Sequence, residues 1–179
     1  MYCVIDGSIW VSSTTRDGRE SVLDLYGPGD WFGETATLAG TPRMLHDAEA
    51  YGPAVVRHLG SFDLEELLST HPSLARSLLR LQARRIQVLL SALQQYSLQT
   101  IEQRLATRLL MLAGKFGVAT PQGVKIDLHL PQETLAKLIG STRQRVNQIL
   151  RDWETDNLLE HRYGRIFLPD EASFKKLLT

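Results

Sequence analysis

Cysteine is nearly missing from this chain: Cys3 is the single one in 179 residues. One thiol makes no internal disulfide and cannot supply a Cys-rich metal centre or an iron–sulfur cluster, so neither oxidising-compartment staples nor redox chemistry is expected. Long apolar runs are missing too. No stretch approaches the roughly 18 residues that cross a bilayer, and the first residues lack the basic-then-apolar order of a signal peptide. A cytoplasmic chain with no membrane partner is the expectation. Catalytic motifs are also absent. His46, His58, His71, His129 and His161 stand apart from one another, and there is no His-Glu-x-x-His, no Gly-x-Ser-x-Gly and no P-loop. Neither an enzyme nor a metal site is expected.

Net charge is zero, with 20 Lys+Arg against 20 Asp+Glu. Along the chain the balance is uneven. Residues 1–98 carry 8 basic and 11 acidic side chains, a net −3, and residues 99–179 carry 12 and 9, a net +3. A bias of three charges can be a solvated face; it also suits a second module that meets phosphate. With 43% hydrophobic residues, the chain can bury one large core or two small ones.

The first sixty residues read as short β runs separated by turns. Tyr2–Ile5 ends at Asp6-Gly7, Ile9–Ser12 ends at Arg16-Asp17-Gly18, and Ser21–Tyr26 alternates before Gly27-Pro28-Gly29-Asp30; His46–Ala50 and Ala54–Leu59 flank Gly52-Pro53. This predicts an antiparallel sheet or roll. Ser61-x-x-Leu64-Glu65 resembles a capped short helix, and His71-Pro72-Ser73 opens a long one. In that long helix Leu79, Gln82, Ile86, Leu89, Leu93 and Tyr96 recur in steps of three and four, a coiled-coil seam, beside a second stripe of Leu78, Leu81, Val88 and Ala92. One stripe can lie on the roll while the other pairs with a second copy. The alternative is a helix sandwiched within one monomer.

Ile101 to Phe116 reads as an amphipathic helix ended by Gly117, Val124–Leu128 as a strand, and Pro131 as the first position of a helix that runs to Gly140. Ser141 or Thr142 can cap the next helix. Two short helices joined through a glycine form a helix-turn-helix candidate. At 100° per residue, Val146, Ile149, Leu150 and Trp153 fall together on one face, and Gln144, Gln148, Arg151 and Thr155 lie opposite. Arg143 sits in the first turn, and Arg145 and Asn147 lie on flanks suited to phosphate. Arg pairs bidentately with guanine and Gln with adenine in the major groove, so these residue types fit DNA reading. Leu158–Leu168 reads as a hairpin turning at Tyr163-Gly164, a wing with Arg162 and Arg165 near the DNA backbone. The competing readings are an αα-hairpin whose polar face is merely wet, and a winged helix that contacts protein.

The stretch from Gly140-Ser-Thr-Arg-Gln-Arg to Leu150, ahead of Asn157-Leu-Leu and Gly164-Arg-Ile, resembles the winged helix of the Crp/Fnr transcription regulators. Gly27-Pro-Gly-Asp-Trp-Phe-Gly-Glu34, followed by Gly40-Thr-Pro-Arg43, resembles the phosphate-binding cassette of that superfamily's cyclic-nucleotide-binding roll. The likeness covers nearly the whole chain. It implies an α+β protein: a partial antiparallel β-roll over 1–70 that lacks its first strands, a dimerisation helix over 71–98, and a C-terminal winged helix-turn-helix over 99–179. Met1 then falls inside a mid-roll strand, which would leave the roll an open edge. The function implied is that of a bacterial transcription regulator, a homodimer on a palindromic double-stranded operator that also contacts RNA polymerase, with Leu98-Gln99-Thr100 as hinge.

By resemblance Arg143, Gln144 and Gln148 occupy base-reading positions, and Gln132 and Thr142 phosphate-contacting ones. The cyclic-AMP receptor branch has Glu and Arg where this chain has Gln144 and Gln148, so that branch's operator is not expected. In the roll, Gly33, Glu34 and Arg43 take the effector-binding roles, the arginine and backbone holding a cyclic phosphate and the carboxylate accepting from a ribose hydroxyl. Met44 replaces a serine, and Leu89 and Leu90 replace a Thr-Ser pair that meets adenine. A cyclic nucleotide is therefore the implied effector class, but operation without ligand, or with another effector, is preferred over cyclic AMP. A Glu34–Arg43 pair within a ligand-free roll is the corresponding expectation.

Overall fold

The computed structural model describes residues 1–178 apart from residues 19, 42, 43 and 45, with backbone alone at residues 92 and 94–97. Arg43 therefore lies outside the described residues, as do the side chains of Ala92 and Tyr96. The chain divides into two compact units, Met1–Ser13 with Leu23–Ser97, and Thr14–Val22 with Leu98–Thr179.

The first sixty residues carry two three-stranded sheets. One has the order β4 (Trp31–Phe32), β1 (Tyr2–Asp6), β6 (Val55–His58), and the other the order β3 (Glu20–Tyr26), β2 (Ile9–Thr14), β5 (Asp47–Ala50). β1 runs antiparallel to both neighbours, with a bulge against β6 between Val4 and Asp6, and β2 runs antiparallel to β5. The turn at Gly27–Asp30 is closed by the Gly27 amide donating to the Asp30 carboxylate at 2.7 Å. Val4, Ile9 and Phe32 form one core, with Tyr2 and Tyr26 stacked on Phe32 at 5.3 Å each. A five-residue helix, α1 (Glu34–Leu38), follows β4.

Helix α2 (Ser61–Thr70) starts from Gly60 with no side-chain cap, so Ser61 lies inside the helix and not at its cap. Its Leu64 packs with Met1 and with Leu78 of the long helix α3 (Pro72–Leu98), and Leu81 leans on the same cluster. That half of the second stripe is buried as the pattern implies. Val88 is not: it is exposed with Leu79, Ile86, Leu89, Leu90 and Leu93, each more than half open to solvent.

The second unit is built on α4 (Ile101–Phe116), whose first turn is closed by a capping box between Thr100 and Gln103. Leu105, Ala106, Leu109, Leu112 and Ala113 make its buried face. A four-stranded sheet follows in the order β7 (Gly117–Thr120), β8 (Gly123–Ile126), β10 (Arg165–Leu168), β9 (Glu160–Arg162), antiparallel throughout. The expected strand at Val124–Leu128 is β8, shorter at its end, and Gly117 opens β7 as well as ending α4. Helices α5 (Gln132–Ile139), α6 (Arg143–Thr155) and α7 (Glu171–Lys175) complete the unit. Pro131 is the cap of α5 and not its first helical residue. The whole is an α+β chain of antiparallel roll, long helix and winged helix-turn-helix.

Candidate nucleic-acid interface

The turn between α5 and α6 depends on Gly140, whose φ of 62° and ψ of 46° lie in the left-handed region. A side chain there would be strained. The Ser141 amide returns to the Ala136 carbonyl at 3.0 Å, and of the two candidate caps Thr142 does the capping, its hydroxyl accepting from the Arg145 amide at 3.2 Å. Val146, Ile149, Leu150 and Trp153 are buried together, with Trp153 edge-on to Phe174 at 5.1 Å. Burial of that face orients the helix and turns the polar face outward.

Arg143, Gln144, Gln148, Arg151 and Thr155 are all exposed. Among the described residues, no side-chain hydrogen bond or ion pair engages Arg143, Gln144 or Arg151. Gln148 is engaged, its Nε2 donating to Asp152 Oδ1 at 2.9 Å. On one flank, Gln132 Nε2 donates to Asn147 Oδ1 at 2.9 Å, tying the start of α5 to α6. On the other, Arg145 donates to Glu102 of α4. The Glu102 carboxyl is held below the usual carboxylate range: its own backbone amide, the Thr100 hydroxyl and Arg145 stabilise the anion and outweigh its partial burial. Arg145 thus occupies the expected flank but with a carboxylate already in place.

The wing is the hairpin of β9 and β10, turning at Tyr163 (φ 53°) and Gly164 (φ 73°). Tyr163 is 97% exposed. Both wing arginines have acidic neighbours: Arg165 pairs with Asp127 at 2.7 Å, and Arg162 with Glu160 at 3.2 Å. Lys125 shares Asp127 at 3.1 Å. Lys125 first, then Arg165, hold the Asp127 carboxyl low.

In the first unit, Gly33 caps α1 with φ 76°, and a Cβ there would overlap the Met44 methyl and crowd the Tyr2 ring. Glu34 opens the helix with its side chain 1% exposed. Its Oε1 accepts from Gln82 Nε2 at 2.9 Å and from Arg85, both on α3, and Arg85 also donates to the Trp31 carbonyl. The expected Glu34–Arg43 pair lies outside the described residues; among those described, Glu34 is held by a clamp from the long helix. Gln82, expected in the dimer seam, faces inward for the same reason. Burial raises the Glu34 pKa, but the bonds from Gln82 and Arg85 prevail and hold it below the usual range. Glu34 Oε2 is buried with no hydrogen-bond partner among the described residues, which fits a ligand bearing a hydroxyl donor. Leu89 and Leu90 offer nothing to a base edge.

Sequence reasoning missed Arg85, Glu102, Asp127 and Asp152, and placed Gln82 in the dimer seam and not on Glu34. Asp152 had a local signal, four residues beyond Gln148, and so did Asp127, two residues beyond Lys125. Gln82, Arg85 and Glu102, and Asp127 with Arg165, meet their partners across 38 to 51 residues of chain.

The profile of the Crp-like helix-turn-helix domain matches residues 103–177, and that of the cyclic nucleotide-binding domain matches residues 1–71. The CRP-like cAMP-activated global transcriptional regulator of Mycobacterium tuberculosis is 31% identical over 156 residues, 86% of this chain and 68% of that protein. The global nitrogen regulator of Synechocystis is 31% identical over 183 aligned residues, all of this chain and 80% of that one. Among solved structures, a CRP-family transcriptional regulator of Thermus thermophilus superposes with a TM-score of 0.73 at 28% identity, over 99% of this chain and 86% of that chain. The chain belongs to the Crp/Fnr family of transcription regulators. It is a DNA-binding regulator and not an enzyme.

Proposed function

We propose that the protein acts as a homodimer that reads a palindromic operator with α6. The observation that carries this reading is the outward face of α6, where Arg143, Gln144 and Arg151 have no side-chain partner among the described residues and stand beside Gln148. Arg143, Gln144, Gln148 and Arg151 meet base edges in the major groove. Gln132, Thr142, Arg145 and Asn147 surround them with donors for phosphate, Arg145 exchanging Glu102 for a phosphate oxygen on binding. The exposed row from Leu79 to Leu93 on α3, a helix about 40 Å long, supports pairing with a second copy, because monomers rarely leave so long an apolar stripe in water. Residues 1–70, 71–98 and 99–179 then serve as effector roll, dimerisation helix and DNA-binding domain, and transcription is controlled through contact with RNA polymerase.

The roll adjusts this activity. Glu34 Oε2, buried and without a donor among the described residues, supports an effector that presents a hydroxyl to it, with Gly33 and Arg43 assigned to the effector's anionic side by the family resemblance. Leu89 and Leu90 argue against cyclic AMP, since discrimination built on hydrogen bonds to a base is lost when the partners are apolar. Calorimetry with cyclic AMP, cyclic GMP and a cyclic dinucleotide tests this, and micromolar saturable heat with cyclic AMP would overturn it.

The DNA reading is tested by fluorescence anisotropy on selected DNA across a salt series. Affinity for a specific site should fall steeply with salt as phosphate contacts are lost. Binding that ignores sequence would favour a protein-contact role instead.

A further inference from the structure

We infer that Asp152 is a specificity-determining residue that fixes Gln148 as a reader of adenine. The inference rests on the DNA-reading role of α6 proposed above and concerns one base position within it. Gln148 Nε2 lies 2.9 Å from Asp152 Oδ1. An ionised carboxylate only accepts, so the amide must turn its NH₂ group toward Asp152. Rotation by 180° would set the Gln148 carbonyl against the Asp152 carboxylate, two acceptors in contact. The side chain of a glutamine ordinarily presents either end; here one orientation is selected.

The consequence follows from counting hydrogens. One Nε2 hydrogen is committed to Asp152. Bidentate reading of a base requires that the second be the one on the same side as Oε1, available together with the Oε1 acceptor. This is one donor beside one acceptor, the complement of adenine's N7 acceptor and N6 amine in the major groove. Guanine presents N7 and O6, two acceptors: the one remaining hydrogen can reach either, and Oε1 then finds no donor on that edge. Thymine presents O4 and a methyl group. Cytosine offers its N4 amine to Oε1 but nothing to the remaining hydrogen. The base facing Gln148 is therefore adenine, which uses both the remaining donor and the acceptor, whereas cytosine, thymine and guanine can each use only one of them.

Neither residue is part of the core. Both are exposed, so the pair can be altered without disturbing the buried face of α6. A glutamine–aspartate pair one turn apart stabilises a helix only slightly. Asp152 instead sets which hydrogen-bonding pattern reaches the groove.

The test is selection of bound sites from random double-stranded DNA with the full chain, followed by anisotropy on single-base variants of the selected site. The variants are Q148A, D152A and D152N, each checked for an unchanged melting midpoint. Q148A identifies the position: selectivity should disappear at one symmetric pair of bases. At that position the wild type should select adenine and bind the guanine variant about tenfold more weakly. D152A should reduce that ratio to about threefold or less, because the amide can then rotate, while the salt slope is unchanged. D152N removes the charge but keeps the shape, and should relax the preference in the same direction. Guanine selected by the wild type, an undiminished ratio in D152A, or no loss of selectivity in Q148A would overturn the inference with DNA reading by α6 intact. Wild-type protein that selects no sequence at all would instead defeat the reading on which it rests.

Discussion

Glu34 is the residue whose surroundings say most about control of the roll. A carboxylate that is 1% exposed is stabilised by donation from Gln82, Arg85 and its own backbone amide. Removing Arg85 leaves that charge with the Gln82 amide and its own backbone amide, and no cation, among the described residues. Breaking a fully buried pair costs about 3–5 kcal/mol, and the 30% exposure of the Arg85 side chain lets water screen part of the loss. R85A should therefore destabilise the chain by about 2 kcal/mol in urea unfolding. A change within a few tenths of a kcal/mol would show that the clamp is ornamental. The pH dependence has a defined sign. Glu34 and Glu102 both have folded pKa values below the ordinary range, so the unfolded chain binds more protons at these sites. The stability they contribute is complete above the ordinary carboxylate pKa and is lost as pH falls through the folded values. The urea midpoint should decline on acidification below about pH 5, and E34Q, which cannot titrate, should decline less. An E34Q profile parallel to wild type would contradict this assignment.

At the scale of elements, the long helix and the helix-turn-helix carry the testable weight. An arginine at Ile86 places a charge in the middle of the exposed row on α3. I86R should sediment with the mass of one chain where wild type sediments as two, and its affinity for a two-half-site operator should fall about a hundredfold as the second half-site is lost. Glu102 and Arg145 make a second prediction. R145A should reduce the slope of log affinity against log salt by about one. E102A should strengthen binding by no more than about fivefold, the worth of a surface ion pair. An unchanged slope in R145A would remove Arg145 from the phosphate-facing set. Much of this level was legible in the sequence. The strands beginning at Tyr2, Ile9 and Ser21, the long helix from Pro72, the Gly140 turn and the Tyr163-Gly164 hairpin all carry short-range signals, either periodic apolar residues or turn chemistry. What escaped lacks such a signal. β4 has two residues and α1 five, too few for a period to appear. β7 follows α4 without a break at Gly117. The clamp on Glu34 joins residues 48 and 51 positions apart, a pairing that only the folded chain creates. The candidate reading face was visible because burial of Val146, Ile149, Leu150 and Trp153 leaves one opposite side. The partners that restrict it, Glu102 and Asp152, were not.

For the whole molecule, the balanced charge hides a division: net −3 before residue 99 and net +3 after it. Pairing doubles the basic half on one operator, so the complex should weaken about a thousandfold or more between 50 and 200 mM salt. Dimer symmetry and groove reading meet in a single observable, the arrangement of bases that the purified chain selects from random DNA. A symmetric dimer reading with α6 should select two inverted half-sites whose centres lie about 10–11 base pairs apart, one helical turn. One asymmetric half-site, or no preferred sequence, would contradict it.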